Sequence, residues 1–204
     1  MSFSVVTDSC ANLTNDLIKE YGVKIVSLTY NVNGTEYLGY IEGEEFDFKE
    51  YYDLLRSKAH VKTSLVSYER VETTLKGELD KGNDVLYISF SSALSGSCQV
   101  ARNCIADLEE SYPDRKIILV DSLQASMGQG LLLKYAVEKK LDGATIDETY
   151  QWLEENKLRL VHLFTVDDLF FLKRGGRISG AVALAGSLLA IKPVVCIEDG
   201  EIKI

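Results

Sequence analysis

The chain has 204 residues, 46% of them hydrophobic and 26% charged, an ordinary globular balance for one large domain or one and a half small ones. Its net charge of −9 argues against a nucleic-acid binder, because releasing counterions from phosphates needs a basic surface. Only 2 prolines occur and no stretch is low in complexity, so no disordered tail or long linker is expected.

The first residues, Met1-Ser2-Phe3-Ser4-Val5-Val6, lack the basic flank and apolar run of a signal peptide. No segment approaches the roughly 20 continuous apolar residues of a membrane span, and the expected location is cytoplasmic. The four cysteines, Cys10, Cys98, Cys104 and Cys196, show no CxxC spacing. With only two histidines, His60 and His162, they make no recognisable zinc site and read as small core hydrophobes.

In chain order, Phe3–Val6 is a first strand ending in Thr7-Asp8-Ser9. A helix follows from about Thr14, with Leu17, Ile18 and Tyr21 on one face and Gly22 as its stop. Val23–Leu28 reads as a second strand, and Asn33-Gly34 as a turn before a short hairpin partner over Tyr37–Ile41. Helices are expected over about Asp47–Ser57 and Ser67–Lys81. Asp84–Ser89 is nearly continuous and apolar, the pattern of a strand covered on both faces. A helix carrying Val100, Cys104, Ile105 and Leu108 comes next, then a strand over Lys116–Val120 ending in Asp121-Ser122.

A helix from about Ala125 and another opened by the capping box Thr145-x-x-Glu148 precede a strand over Leu160–Val166. Alternating strands and helices predict an α/β fold: a three-layer, mainly parallel sheet domain over residues 1–156. After Asn156 a short helix over Asp167–Lys173, the loop Arg174–Arg177, a small-residue helix over Ser179–Ala190 and a hairpin turning at Asp199-Gly200 predict a second α+β domain over 157–204. That domain reads as incomplete, since a hairpin alone is marginal. Val194, Val195 and Ile197 are expected to form an exposed patch or an open sheet edge.

Three strand ends finish in small hydroxyl or carboxylate residues: Thr7-Asp8-Ser9, Ser89 to Ser97, and Asp121-Ser122. In a parallel sheet they share the edge where ligands of open α/β sheets bind, facing helix N-termini. A fourth cluster, Thr63-Ser64-x-x-Ser67, precedes another helix. Ser9, Ser67 and Ser122 are each explained as helix caps. The Ser89–Ser97 loop holds five serines in nine residues, more than one cap needs, and marks Ser92, Ser95, Gly96 and Ser97 as ligand-binding.

Neither GxxxxGK[ST], GxGxxG nor GxSxG occurs, which disfavours the familiar nucleotide sites and the nucleophile elbow. No histidine is visibly placed as a base: His162 lies mid-strand, and His60 has no orienting acid. Two rival classes stay open. One is a hydrolase or phosphatase with Ser95 or Asp8 as nucleophile, the other a regulatory α/β domain without ligand.

Thr7-Asp8-Ser9, Lys62-Thr63-Ser64, Ile88-Ser89-x-x-Ser92-x-Leu94-Ser95-Gly96-Ser97, Val120-Asp121-Ser122 and Leu172-Lys173-Arg174-Gly175-Gly176-Arg177-Ile178-Ser179 together resemble the DegV family, in its order and over essentially the whole chain. The resemblance implies a bacterial fatty-acid-binding protein of two domains with the acyl chain between them. It also implies a separate fatty-acid kinase as partner, no cofactor and no catalysis by the chain itself. By motif position Thr63 and Ser95 hold the carboxylate, with Ser64 beside them. Arg174 is expected as a carboxylate-side cation or part of a docking patch. The chain departs from the family in carrying Leu65-Val66 after the Thr-Ser step, where Gln-Pro is usual. An elongated apolar cavity is expected beside Thr63 and Ser95, with the small residues Ala181–Gly186 as one wall.

Overall fold

A computed structural model describes residues 2–57, 59–180 and 193–204. Its centre is a four-stranded parallel sheet of β1 (Phe3–Asp8), β2 (Lys24–Val26), β6 (Asp84–Ser89) and β7 (Ile117–Asp121), in the order β2-β1-β6-β7. Each face is covered, and alternate side chains divide between two cores. Val6, Val85 and Tyr87 point to α3 (Tyr68–Leu79) and α4 (Ser97–Ser111), meeting Val71, Leu75, Ala101 and Cys104. Val5, Leu86, Ile88 and Val120 point the other way, to Leu132, Leu133 and Ala136 of α5 (Ser126–Leu141) and Leu153 of α6 (Ile146–Asn156). All six residues of β6 are buried, which is why its sequence shows no alternation. Helix ends follow their local signals: Thr14 caps α1 (Asn15–Tyr21), and Thr145 with Glu148 forms a complete capping box on α6.

The predicted Val23–Leu28 strand divides. Its first half stays in the parallel sheet as β2, but at Ser27-Leu28 the chain leaves it. There the Leu28 amide donates to Ser9 Oγ (3.0 Å), and Ser27 Oγ accepts the Tyr40 amide (2.9 Å). These side-chain bonds replace sheet pairing and let Thr29–Val32 start a second sheet as β3. β3 pairs antiparallel with β4 (Thr35–Leu38) through the Asn33-Gly34 turn, and with β5 (Val61–Thr63). Asn33 and Gly34 both have positive φ, as a two-residue hairpin turn requires. The hairpin partner thus lies two to three residues earlier than the expected Tyr37–Ile41. Asp47 caps α2 (Phe48–Arg56), which follows.

A third sheet, β10-β9-β8, joins β8 (His162–Phe164), β9 (Val195–Glu198) and β10 (Glu201–Lys203), all antiparallel. Between β8 and β9 lies α7 (Leu169–Arg174), capped by Asp168. The expected helix over Ser179–Ala190 falls almost wholly outside the described residues. The expected apolar patch is corrected: Val195 and Ile197 are buried, and only Val194, 69% exposed, faces solvent. Pairing of β9 with β8 places Val195 opposite Phe164 and Ile197 opposite His162, and the hairpin tip seats on the parallel-sheet domain.

Candidate functional site

The strand order reverses between β1 and β6, so the crevice of this sheet opens at the carboxyl ends of those two strands. Asp8 stands there, fully buried. One of its oxygens accepts the Phe90 amide (2.8 Å); the other accepts the Cys10 amide (3.1 Å) and Gln129 Nε2 (3.2 Å). Gln129 also donates to Thr7 Oγ1, which in turn donates to the carbonyl of Ile88. Burial raises the Asp8 pKa, against the opposing effect of these hydrogen bonds. A carboxylate so enclosed ties β1, β6 and α5 together and is not presented as a nucleophile.

The hydroxyls at the neighbouring strand ends divide by task. Ser9 accepts the Leu28 amide rather than capping its own helix, Ser122 accepts the Gln124 amide within a buried turn, and Ser67 caps α3. Leu123 and Ser126 have positive φ on the tight path from β7 to α5. Within the serine loop, Ser91 donates to the Gly200 carbonyl (2.8 Å), and the exposed Ser92 has its amide on Asp121 (3.1 Å). Ser95 and Ser97 remain, their hydroxyls 3.0 Å apart, and the Ser97 amide donates to Ser95 Oγ (3.2 Å).

These two serines flank Gly96, the cap residue of α4; glycine supplies no capping side chain, and the first amide of this 15-residue helix is met by Ser95 Oγ instead. The Thr63–Ser67 segment crosses over that helix start. Thr63 ends β5 opposite Tyr30, the Ser64 amide donates to the Thr29 carbonyl, and the buried Val66 donates its amide to Ser97 Oγ (3.2 Å). Leu65 lies on Gly96: a Cβ there would come within 3.4 Å of Leu65 Cδ1. Two segments about thirty residues apart in sequence are thereby brought to one place. Thr63 and Ser64 are exposed and Ser95 is half-buried.

Arg174 lies elsewhere. With Leu55, Arg56, Asp168, Phe170, Phe171 and Lys173 it lines a cavity of about 420 Å³ between α2 and α7, its guanidinium 4.1 Å from the Phe171 ring centroid. The charge of Arg177 reaches Cys10, just after β1. It opposes the burial and the Asp8 charge that push the Cys10 thiol up. A second cavity of about 420 Å³ lies along α2, lined by Asp47, Lys49, Glu50, Asp53, Leu54 and Ser57. Neither cavity has Thr63 or Ser95 on its wall, and the expected wall Ala181–Gly186 lies outside the described residues. His162 is half-buried, and burial lowers its pKa; its Nδ1 has no hydrogen-bond partner among the described residues. Cys98 and Cys104 are buried and unpaired, and no metal-ligating cluster occurs among the described residues.

A helix-covered parallel sheet with two antiparallel sheets beside it defines a mixed α/β protein. Comparison with known proteins narrows the class. A family model described as "Uncharacterised protein, DegV family" matches residues 2–204, and the chain belongs to the DegV family. A DegV domain-containing protein of Clostridium perfringens is 43% identical over 201 residues, covering 98% of this chain and 69% of its own. Among solved structures, a DegV family protein of Thermus thermophilus described as fatty-acid binding has 33% identity and a TM-score of 0.86, over 100% of this chain and 70% of that one. A stearic-acid-binding protein of Eubacterium ventriosum has 29% identity and a TM-score of 0.89, over 99% and 69%.

Proposed function

We propose that this chain binds a long-chain fatty acid, with the carboxylate at the crevice formed by Thr63, Ser64, Ser95, Gly96 and Ser97, and holds it for a separate fatty-acid kinase. The observation that carries this reading is the start of α4. Its cap position is a glycine, hydroxyls stand on either side, and the Thr63–Val66 segment closes over it. The positive end of a helix favours an anion there. The likeness to fatty-acid-binding structures supplies the chemistry of the anion.

The head group fixes orientation and the tail sets affinity. Each charge-assisted hydrogen bond offers about 1.5–3 kcal/mol. Each buried methylene offers about 0.8 kcal/mol, so roughly ten of them outweigh the head-group contacts. Arg174, on the α2–α7 cavity, would then act away from the carboxylate. Native mass spectrometry of freshly purified protein, with organic extraction of what it carries, is the direct test. A bound species of fatty-acid mass supports the reading; protein that neither carries nor takes up fatty acid rejects it.

A further inference from the structure

Six aromatic rings form one continuous cluster on the outer side of β3, β4 and α2. Tyr37 stacks on Tyr30 at 5.4 Å, Tyr30 meets Phe46 and Tyr51 edge-on, Phe46 meets Phe48 at 5.0 Å, and Tyr51 meets Tyr52. This is not a buried core. Tyr37, Phe48 and Tyr52 are 47%, 52% and 51% exposed, and all four residues of β4 face solvent. β4 pairs only with β3, so its other edge offers unpaired amides and carbonyls among the described residues.

The charges around the rings are nearly all of one sign. The two cations of the segment, Lys49 and Arg56, both turn onto Asp53, at 2.6 and 2.9 Å. Asp47 is occupied as the cap of α2. Glu36, Glu42, Glu44, Glu45 and Glu50 have no cation within ion-pair distance among the described residues. Exposed strand edges are ordinarily blunted by lysine, proline or a bulge. Here the edge strand reads Thr35-Glu36-Tyr37-Leu38, and its one charge repels an acidic strand while admitting a basic one.

We propose that this face is a docking surface for a basic, apolar segment of a partner protein, laid as an extended strand along the free edge of β4. Aliphatic side chains and cations of such a segment would pack on the rings, and the surrounding carboxylates would select for lysine and arginine. The same carboxylates repel nucleic acid and an anionic membrane surface. The net charge of −9 opposes a second copy. Cross-strand register puts Tyr37, Tyr30 and Thr63 in one row on one face of the sheet, roughly 10 Å from end to end. On the lipid-binding reading above, and only on it, the partner therefore stands beside the carboxylate.

The test is a titration of isotope-labelled protein with a blocked nonapeptide alternating lysine and valine, followed by amide shifts. Saturable changes confined to residues 30–38 and 46–53 are expected, weakening about tenfold between ~20 and ~200 mM salt. They should be lost in the Tyr37→Ser, Phe48→Ser double variant, whose remaining spectrum should stay native. A glutamate–valine peptide should change nothing. Shifts spread over the acidic surface, or unaltered by the double variant, would mean simple charge attraction and overturn the proposal. Self-association through these same amides without peptide would assign the face to a second copy and overturn it too. Lipid extraction from the same sample separates the two readings: peptide binding without fatty acid rejects only the lipid site, and fatty acid without peptide binding rejects only the docking surface.

Discussion

The Asp8 carboxylate accepts the Phe90 amide at 2.8 Å, joining the end of β1 to the residue that follows β6, 82 positions later. That bond, with those from Cys10 and Gln129, ties the end of β1 to α5 and to the start of the serine loop.

Replacing Asp8 by Ala strands the Phe90 and Cys10 amides, while Gln129 keeps Thr7, and should cost about 2 kcal/mol or more, read as a shifted denaturation midpoint. The pH dependence has a definite sign. Because the folded pKa is raised above the unfolded value near 3.8, the native state holds the proton over a window starting there and extending upward. The Asp8 contribution is full below that window and declines as pH rises through the folded pKa. The stability gap between the parent and Asp8→Asn should therefore narrow from pH 4 to pH 7, and a gap that widens would contradict a raised pKa.

Gly200 sits at positive φ in the β9–β10 turn, and a Cβ there would lie 2.6 Å from Ser91 Oγ and 2.9 Å from Leu123. Gly200→Ala should lift the hairpin tip off the serine loop at a cost of about 1–3 kcal/mol. Hydrogen exchange at the amides of residues 91–95 and 195–203 should rise together, since one contact holds both.

Gly128 makes the corresponding close approach in α5, where a Cβ would meet Gln124 Oε1 and His162 Nδ1, each at 2.7 Å. Gly128→Ala should raise helix propensity locally yet destabilise the protein by about 1–3 kcal/mol, because β8 has to move away. Calorimetry of the variant, alone and with His162→Ala, checks this. The second change should recover part of the loss, as expected for two groups sharing one space.

For the lipid site, Ser95→Ala and Thr63→Ala should each weaken fatty-acid binding by about ten- to a hundredfold, the worth of one hydrogen bond to a charged group. Acyl transfer to a kinase should fall further than binding does, because the head loses its orientation while the tail keeps its contacts. Ser97→Ala should behave differently. Its hydroxyl holds the Val66 amide, so both binding and melting temperature should drop. Equal effects of Ser95 and Ser97 on stability would contradict this division of tasks.

Periodicity along the chain was enough to place the parallel strands, their covering helices and the capped helix starts. These patterns record burial and hydrogen bonding within a few residues, and the chain's motifs carried the DegV resemblance as well. Tertiary structure decided what the hydroxyls do. Ser91, Ser92, Ser95 and Ser97 share one loop and one residue type. Yet Ser91 is committed to Gly200, 109 positions away, and Ser97 to Val66, 31 positions away, while Ser95 bonds locally, to the amide and hydroxyl of Ser97. The same holds for Leu28, whose amide finds Ser9 and so moves the chain into a second sheet, and for Arg174, drawn to Phe171 and the α2–α7 cavity. A side chain's own type sets which bonds it is able to make. Only folding brings the distant partner that determines which one it makes.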